Sequence, residues 1–234
     1  MIAIITSTIF PAAATTTTSY RTSVNYQDRL LQTVETIQSL TELGFSEIYL
    51  FDNSGFNWDS SAEDQLQPAK LIKFNTFQFD NKGLSELYML LHGLNIIPVG
   101  VPILKISGRY VLKQTVNEEL FKEVQFAGKF NPDTISTRAY YFSSKEVMQN
   151  VLYVALNNMY AFKHKIVGFR SLFKVVQNAF FDNKTASYYD TTISIERGMF
   201  NAIKKLKLKT HHMPVIHVSG VSGHADDNRK TINE

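Results

Sequence analysis

Glu47-Ile48-Tyr49-Leu50-Phe51-Asp52-Asn53-Ser54-Gly55 is the stretch on which the fold turns. Four large apolar side chains in a row leave no polar face, the mark of a strand covered on both sides. Asp-Asn-Ser-Gly ends the run with side chains that hydrogen-bond local backbone and favour turns. Upstream, Leu30, Val34, Ile37 and Thr41, joined by Leu31 and Leu40, form a stripe that predicts a helix over 28–43, with Gly44 as its C-terminal stop. A second unbroken apolar run, at 2–6, precedes it. Downstream come a strand at 71–74, a turn at Asp80-Asn81-Lys82-Gly83, a helix over 85–94 with Leu87, Leu90, Leu91 and Leu94 inward, and a strand at 103–106. Strands alternating with helices in this way predict an α/β fold with a mostly parallel sheet flanked by helices.

The second half is less regular. A short helix is expected at 117–124, a strand at 134–142, a helix over 143–161 with Ser143 and Glu146 in capping-box spacing, a helix over 190–206 and a last strand at 213–218. The tyrosines and phenylalanines of this half, among them Tyr140, Tyr141, Phe180, Phe181, Tyr188 and Tyr189, read mostly as core. No repeat and no shift of composition marks a linker, so a single domain over 1–234 is the simplest organisation.

Of 234 residues, 44% are hydrophobic and 19% charged, which suits a globular chain and excludes a disordered one. A net charge of +3 is too small to argue for nucleic acid. The absence of cysteine excludes disulfides, thiolate zinc sites and a cysteine nucleophile, and fits a cytoplasmic location. No apolar run is long enough to span a bilayer. The first 14 residues lack a positive segment and are broken by Pro11, so they read as a buried strand, not a signal peptide. The polar stretch after residue 222 leaves open whether the chain continues into a longer protein.

Ligands of an open α/β sheet bind outside the carboxyl ends of its strands. Four polar clusters fall there: Thr6-Ser7-Thr8, Asp52-Asn53-Ser54, Asn81-Lys82-Gly83 and Lys105-Ile106-Ser107-Gly108-Arg109-Tyr110. The topology gathers them on one rim. With the strand at 2–6, the 48–54 run and Asn81-Lys82-Gly83 followed by Ser85-Glu86, the first half resembles the GT-A type nucleotide-sugar glycosyltransferases, similar to the family 2 enzymes. The resemblance implies a GT-A-like, Rossmann-related fold, with a nucleotide-binding half over 1–115 and an acceptor half over 116–234. It implies that Ser7 and Asp52, with Thr6 and Asn53 beside them, address the nucleoside. Asp52 is also a natural turn cap, and Lys82 with Gly83 suits a helix-leading turn as well as a phosphate contact.

Such enzymes carry Asp-x-Asp after the fourth strand to hold a divalent metal against the diphosphate. Here the slot reads Leu104-Lys105-Ile106-Ser107-Gly108-Arg109-Tyr110, with no carboxylate. Cations neutralise a diphosphate as a metal does: Arg109 offers a bidentate fork, Lys105 a point charge, and Ser107 and Tyr110 flank them. A string of this kind resembles a subgroup of surface-polysaccharide transferases lacking Asp-x-Asp, so no cofactor is expected and metal dependence is expected to be weak or absent. Family 2 inverting enzymes place an acidic base late in the chain. Glu196 fits that order and Asp190 is its rival, although Glu196 also suits a helix N-terminus. His217 and His224, in the Ser/Gly cluster from 217 to 224, are expected near the diphosphate or acceptor; their spacing matches no closed metal motif.

The expected reaction is sugar transfer from a nucleoside-diphosphate donor to a hydroxyl of a glycan or lipid-linked acceptor, as in surface polysaccharide synthesis. Two alternatives stay open. One is a non-catalytic GT-A-like module that binds a glycan or partner. The other is a nucleotidyltransferase, disfavoured because 9–20 contains neither glycine nor lysine. Lys204, Lys205, Lys207 and Lys209 with His211 and His212 read as a solvated basic face, with peripheral contact at the inner face of a membrane as the lesser reading.

Overall fold

The computed structural model describes residues 1–10, 25–54, 60–74, 79, 81–163, 168–170, 172–173, 191, 193–221 and 231–234. In chain order these form β1 (Ile2–Ser7), α1 (Tyr26–Glu42), β2 (Glu47–Asp52), α2 (Ser60–Asp64), β3 (Lys70–Lys73), α3 (Lys82–Gly93), β4 (Ile103–Ser107), β5 (Tyr110–Leu112), β6 (Phe126–Phe130), β7 (Ile135–Phe142), α4 (Lys145–Lys163), α5 (Ile195–Lys205), β8 (Thr210–His212), β9 (Val218–Val221) and β10 (Thr231–Asn233). The predicted turn residues Gly55 and Asp80, the polar stretch 15–19, and Phe180, Phe181, Tyr188, Tyr189, Asp190 and His224 lie outside the described residues.

Seven strands make one mixed sheet in the order β3-β2-β1-β4-β7-β6-β8. β3, β2, β1 and β4 run parallel, and β7 joins β4 antiparallel, with Ile103 opposite Phe142 and Ile106 opposite Ala139. The expected α/β architecture, a mostly parallel sheet flanked by helices, is the observed one. Strand alternation sorts the core into two layers. Ile2, Ile4, Tyr49, Phe51, Ile103, Tyr140 and Phe142 pack under α3, α4 and α5. Ala3, Ile5, Ile48, Leu50, Leu104, Ile106 and Tyr141 pack under α1.

Several elements differ from the sequence reading. The buried stripe of α1 is Leu30, Thr33, Thr36, Ile37, Ser39 and Leu40; Leu31 and Thr41 face solvent. The rotation has a polar cause. β5 lies against α1, and its neighbourhood needs hydroxyls: Thr33 donates to the Gly108 carbonyl (3.1 Å) and Ser39 accepts from the Leu112 amide (3.2 Å). Gly44 does close the helix, at φ 82°, where a side chain would be strained.

The 117–124 helix is a short 3-10 turn, Glu118–Lys122. The cap of α4 is Ser144, whose hydroxyl accepts from the Val147 amide (3.4 Å), and not Ser143. The last predicted strand, 213–218, is not one. Pro214 has no amide to donate and His217 has φ 53°, so the strand begins only at Val218 and pairs with β5 and β10 in a separate three-stranded sheet. Among the described residues no helix is long and apolar enough to cross a membrane.

Candidate functional site

The carboxyl ends of β1, β2 and β4 meet at one rim, and the sheet divides that rim into two polar groups. The first lies on the α1 side. Asp52, at the last position of β2, is fully buried. One carboxylate oxygen accepts the Ile9 amide (2.9 Å) and the other accepts the Ser54 amide (2.9 Å) and the Ser54 hydroxyl. Ser54 in turn accepts the Phe10 amide (2.9 Å). Asp52 therefore ties the chain leaving β1 to the chain leaving β2. Asn53 continues the tie, its amide donating to the Ser7 carbonyl (3.0 Å). Ser7 sits within 3.3 Å of the Thr33 hydroxyl.

Burial pushes the Asp52 carboxyl up from the usual 3.8; bonds from Ser54 and Ile9 and the Arg29 charge oppose the shift. Above the ordinary Asp value the folded state then holds this proton more tightly than the unfolded chain, so the group's contribution to stability declines as pH rises. We expect the wild-type melting profile minus that of Asp52→Asn to contain a component that falls from pH 4 upward. A difference that rises with pH contradicts the assignment.

Arg29, one turn into α1, stands beside Asp52. It donates from Nη1 to the Thr8 carbonyl, while its buried Nε has no hydrogen-bond partner among the described residues. Arg109, in the turn after β4, lies close enough to act on it electrostatically. Burial first, and then the like charge of Arg109, lower the Arg29 guanidinium to about 10 against a partial counter-effect from Asp52. Two guanidiniums thus act on one another at the mouth of β1 and β4. Arg109 also approaches the Tyr110 ring (5.9 Å). Sequence reading missed Arg29; its signal was a basic residue in the first turns of the helix that follows β1, where helix dipole and strand ends converge.

The second group lies on the other face. Lys105 is 1% exposed and forms an ion pair with Glu86 of α3, which is 23% exposed. Its Nζ also donates to the Thr137 carbonyl (2.8 Å) and lies over the Tyr140 ring (5.4 Å). Thr6 donates to the same Glu86 oxygen (3.0 Å). Thr137 donates its hydroxyl to Glu196 (2.9 Å), so Glu196, in the first turn of α5, joins the cluster. The Tyr140 hydroxyl is buried and has no hydrogen-bond partner among the described residues; burial, then the charges of Glu86 and Glu196, hold it protonated far above the usual phenol range.

Two features bring Glu86 and Glu196 together. Asn81 caps α3 by accepting the Leu84 amide (3.1 Å) and donates to the carbonyls of Thr191 and Ile193, the latter at 2.9 Å. A Cβ on Gly83 would lie 2.8 Å from the Ile195 side chain, so glycine lets the two helix starts touch. The Asn81-Lys82-Gly83 turn acts here as a clamp between α3 and α5, with the Lys82 side chain exposed.

Lys105 and Arg109 therefore do not share a face. Within β4, alternation turns Lys105 toward α3, where its charge is matched, whereas Arg109 lies past the last residue of β4, in the turn into β5, close enough to act electrostatically on Arg29. Ser107 ends β4, and its carbonyl accepts the Arg109 amide (2.7 Å). Tyr110 is buried in β5, with Arg138 stacked on its ring at 6.0 Å. His217 is exposed, and its carbonyl accepts the Lys113 amide (2.8 Å). β5 runs back from the rim along α1, which sets His217 about 10 Å below it. Among the described residues no three His, Asp or Glu side chains gather as a metal site would need.

No family model matches the chain, and no curated protein does. Among solved structures, it is similar to a nucleoside-diphosphate-sugar pyrophosphorylase from Vibrio cholerae RC9 at 10% identity and TM-score 0.49, over 90% of this chain and 91% of that one. It is also similar to an active-site mutant of LgtC, at 8% identity and TM-score 0.48 over 97% and 91%. The galactosyltransferase LgtC in complex with donor and acceptor sugar analogs gives the same figures, 8% and 0.48 over 97% and 91%.

Proposed function

We propose that this chain transfers a glycosyl group from a nucleoside-diphosphate sugar to a hydroxyl of a glycan or lipid-linked acceptor. The observation that carries the reading is the Arg29–Arg109 pair, in which a half-buried guanidinium keeps an unbonded Nε beside a second cation at the carboxyl ends of β1 and β4. Asp52 offsets part of one charge, and holding a second like charge beside it is costly unless a further anion completes the group. A diphosphate suits two planar forks, because each arginine binds phosphate oxygens bidentately. The nucleoside would lie toward Ser7 and the Asp52 tie, and the sugar toward the opposite side of the rim.

In the transfer, the bond from the sugar's anomeric carbon to the diphosphate oxygen breaks and its electron pair leaves with the diphosphate. The arginines then meet a charge that grows in the transition state, which is where electrostatic stabilisation counts most. The acceptor oxygen forms the new bond to the anomeric carbon. Glu196, oriented by the Thr137 hydroxyl, takes the acceptor proton in an inverting reaction. The ion pair of Lys105 with Glu86 holds Thr137 and the start of α3 in place and leaves Lys105 a positioning residue. Weak metal dependence remains part of the proposal, on the ground that the cations are supplied by the chain.

The test is incubation with a panel of nucleotide sugars, scored for transfer and for slow donor hydrolysis. Glu196→Gln is expected to keep donor affinity within about twofold while turnover falls at least a hundredfold, as loss of a general base does. Undiminished turnover removes Glu196 from the mechanism. One observation favours the non-catalytic module instead: in the slot where a metal motif would sit, the charge of Lys105 is cancelled by Glu86. Donor binding with no hydrolysis by any sugar of the panel would select that reading.

A further inference from the structure

Exposed apolar side chains scattered singly need no explanation, but a cluster does. Phe169 is 90% exposed and Phe173 71%, with Leu172 also exposed beside them. They belong to one helical turn, since the Leu172 amide donates to the Gly168 carbonyl (3.1 Å). Positions 169, 172 and 173 therefore share a face at spacing i, i+3 and i+4. Arg170 is exposed next to them.

The charge of the surrounding sequence is one-sided. No aspartate or glutamate occurs between Glu146 and Asp182, whereas Lys163, Lys165, Arg170 and Lys174 all fall in that interval. Aromatic anchors on one side of a turn, in a stretch of sequence that carries cations and no carboxylate, is the pattern of a segment lying in the headgroup region of an anionic bilayer. The basic face of α5 and its continuation exposes no aromatic side chain among the described residues: the Lys204 ammonium lies 4.3 Å over the Phe200 ring, Phe200 is buried, and Leu206 alone of the apolar residues from 204 to 209 is exposed.

Position adds a second argument. Near its C-terminal end α4 reaches the rim: the Met159 carbonyl accepts the Thr191 hydroxyl (3.4 Å), and Thr191 is joined to Asn81 at the start of α3. Residue 168 follows the end of α4 by five residues, a reach of at most about 18 Å. The chain thus leaves α4 at the end of the molecule that carries the polar rim, and residue 168 is within that reach of it.

We infer that the turn at 168–173 docks on an anionic lipid surface, with Phe169, Leu172 and Phe173 entering the headgroup boundary and Arg170 meeting lipid phosphates. Nearness to the rim bears on docking only through the sugar-transfer reading, the exposed apolar face and its cations do not depend on it, and the turn takes the place of the Lys204 to Lys209 face as the membrane contact.

The test is flotation of the full chain with vesicles of phosphatidylcholine containing roughly one-third phosphatidylglycerol, against phosphatidylcholine alone. The wild type floats with the anionic vesicles and not with the neutral ones. Phe169→Ser with Phe173→Ser lowers bound protein at least about tenfold, with an unchanged melt because both side chains are exposed. Lys204→Gln with Lys205→Gln binds like wild type. Wild-type protein that stays with neither vesicle overturns the inference, as does a Phe169/Phe173 variant that floats fully. Flotation lost only in the Lys204/Lys205 variant returns the contact to α5. A lipid-independent dimer that the Phe169/Phe173 substitutions dissociate, with no flotation, assigns the turn to a second copy of the chain.

Discussion

Arg109→Ala lowers transfer by at least a hundredfold and weakens nucleoside-diphosphate affinity by a similar order, while the melting temperature stays nearly unchanged. Removing one preorganised donor from a developing charge typically costs about 10²–10³ in rate. Arg109 has a ring contact with Tyr110 but no ion pair among the described residues, so little structure depends on it. Arg29→Met separates function from stability further. The substitution removes a half-buried guanidinium with an unbonded Nε beside a like charge, and sacrifices the bond to the Thr8 carbonyl. The two effects oppose each other, so the variant is expected to be as stable as wild type and to lose donor binding. Retaining an arginine that contributes nothing to stability is what a ligand site requires. Donor titration and a thermal melt on the same samples check both arms; full donor affinity in either variant contradicts the assignment.

Lys105→Met has the opposite profile. It strands Glu86 beneath α3 without its cation and deprives the Thr137 carbonyl of its donor. Breaking a buried pair from one side costs about 3–5 kcal/mol, which in a chain of this size lowers the melting temperature by roughly 6–20 °C. Lys105→Met combined with Glu86→Leu restores most of that loss, because no unpaired charge is left. Were Lys105 instead a diphosphate ligand, the single variant would keep its melt and lose donor affinity. A thermal double-mutant cycle distinguishes the two.

The first half of the fold was legible because its strands are covered on both faces and its helices carry plain stripes. β1, β2, β4 and α3 follow from apolar runs and from Leu87, Leu90, Leu91 and Leu94, all buried. Short strands were not legible: β5, β8, β9 and β10 have three or four residues each, too few for a period to show. The α1 stripe was misread for a reason that no hydrophobicity pattern contains, since Thr33 and Ser39 are inward to bond β5.

The site was legible in position more than in role. Thr6, Ser7, Asp52 and Arg109 do fall at the ends of β1, β2 and β4, while Lys105 lies mid-strand, buried opposite Ile4. Counting residues along the strand would put Lys105 and Arg109, four positions apart, on one side; they part because β4 ends at Ser107 and Arg109 lies in the turn into β5, which no period shows. The pairing of Lys105 with Glu86 depends on where α3 is laid, which the Asn81 clamp and the Gly83 contact decide through residues more than a hundred positions away. Arg29 escaped notice because it sits in no motif; its place in the first turns of the helix after β1 was the one signal, and its burial and unbonded Nε add to that only once the fold is known.

The central claim is that the Arg29–Arg109 mouth holds a diphosphate. The most direct measurement is a thermal-shift screen of the wild type against UDP, GDP, CDP and CMP, repeated with Arg109→Ala. The account predicts that at least one nucleoside diphosphate raises the melting temperature, that CDP does so more than CMP, and that Arg109→Ala abolishes the difference. Equal shifts for CDP and CMP, or a diphosphate shift that survives in Arg109→Ala, would contradict it.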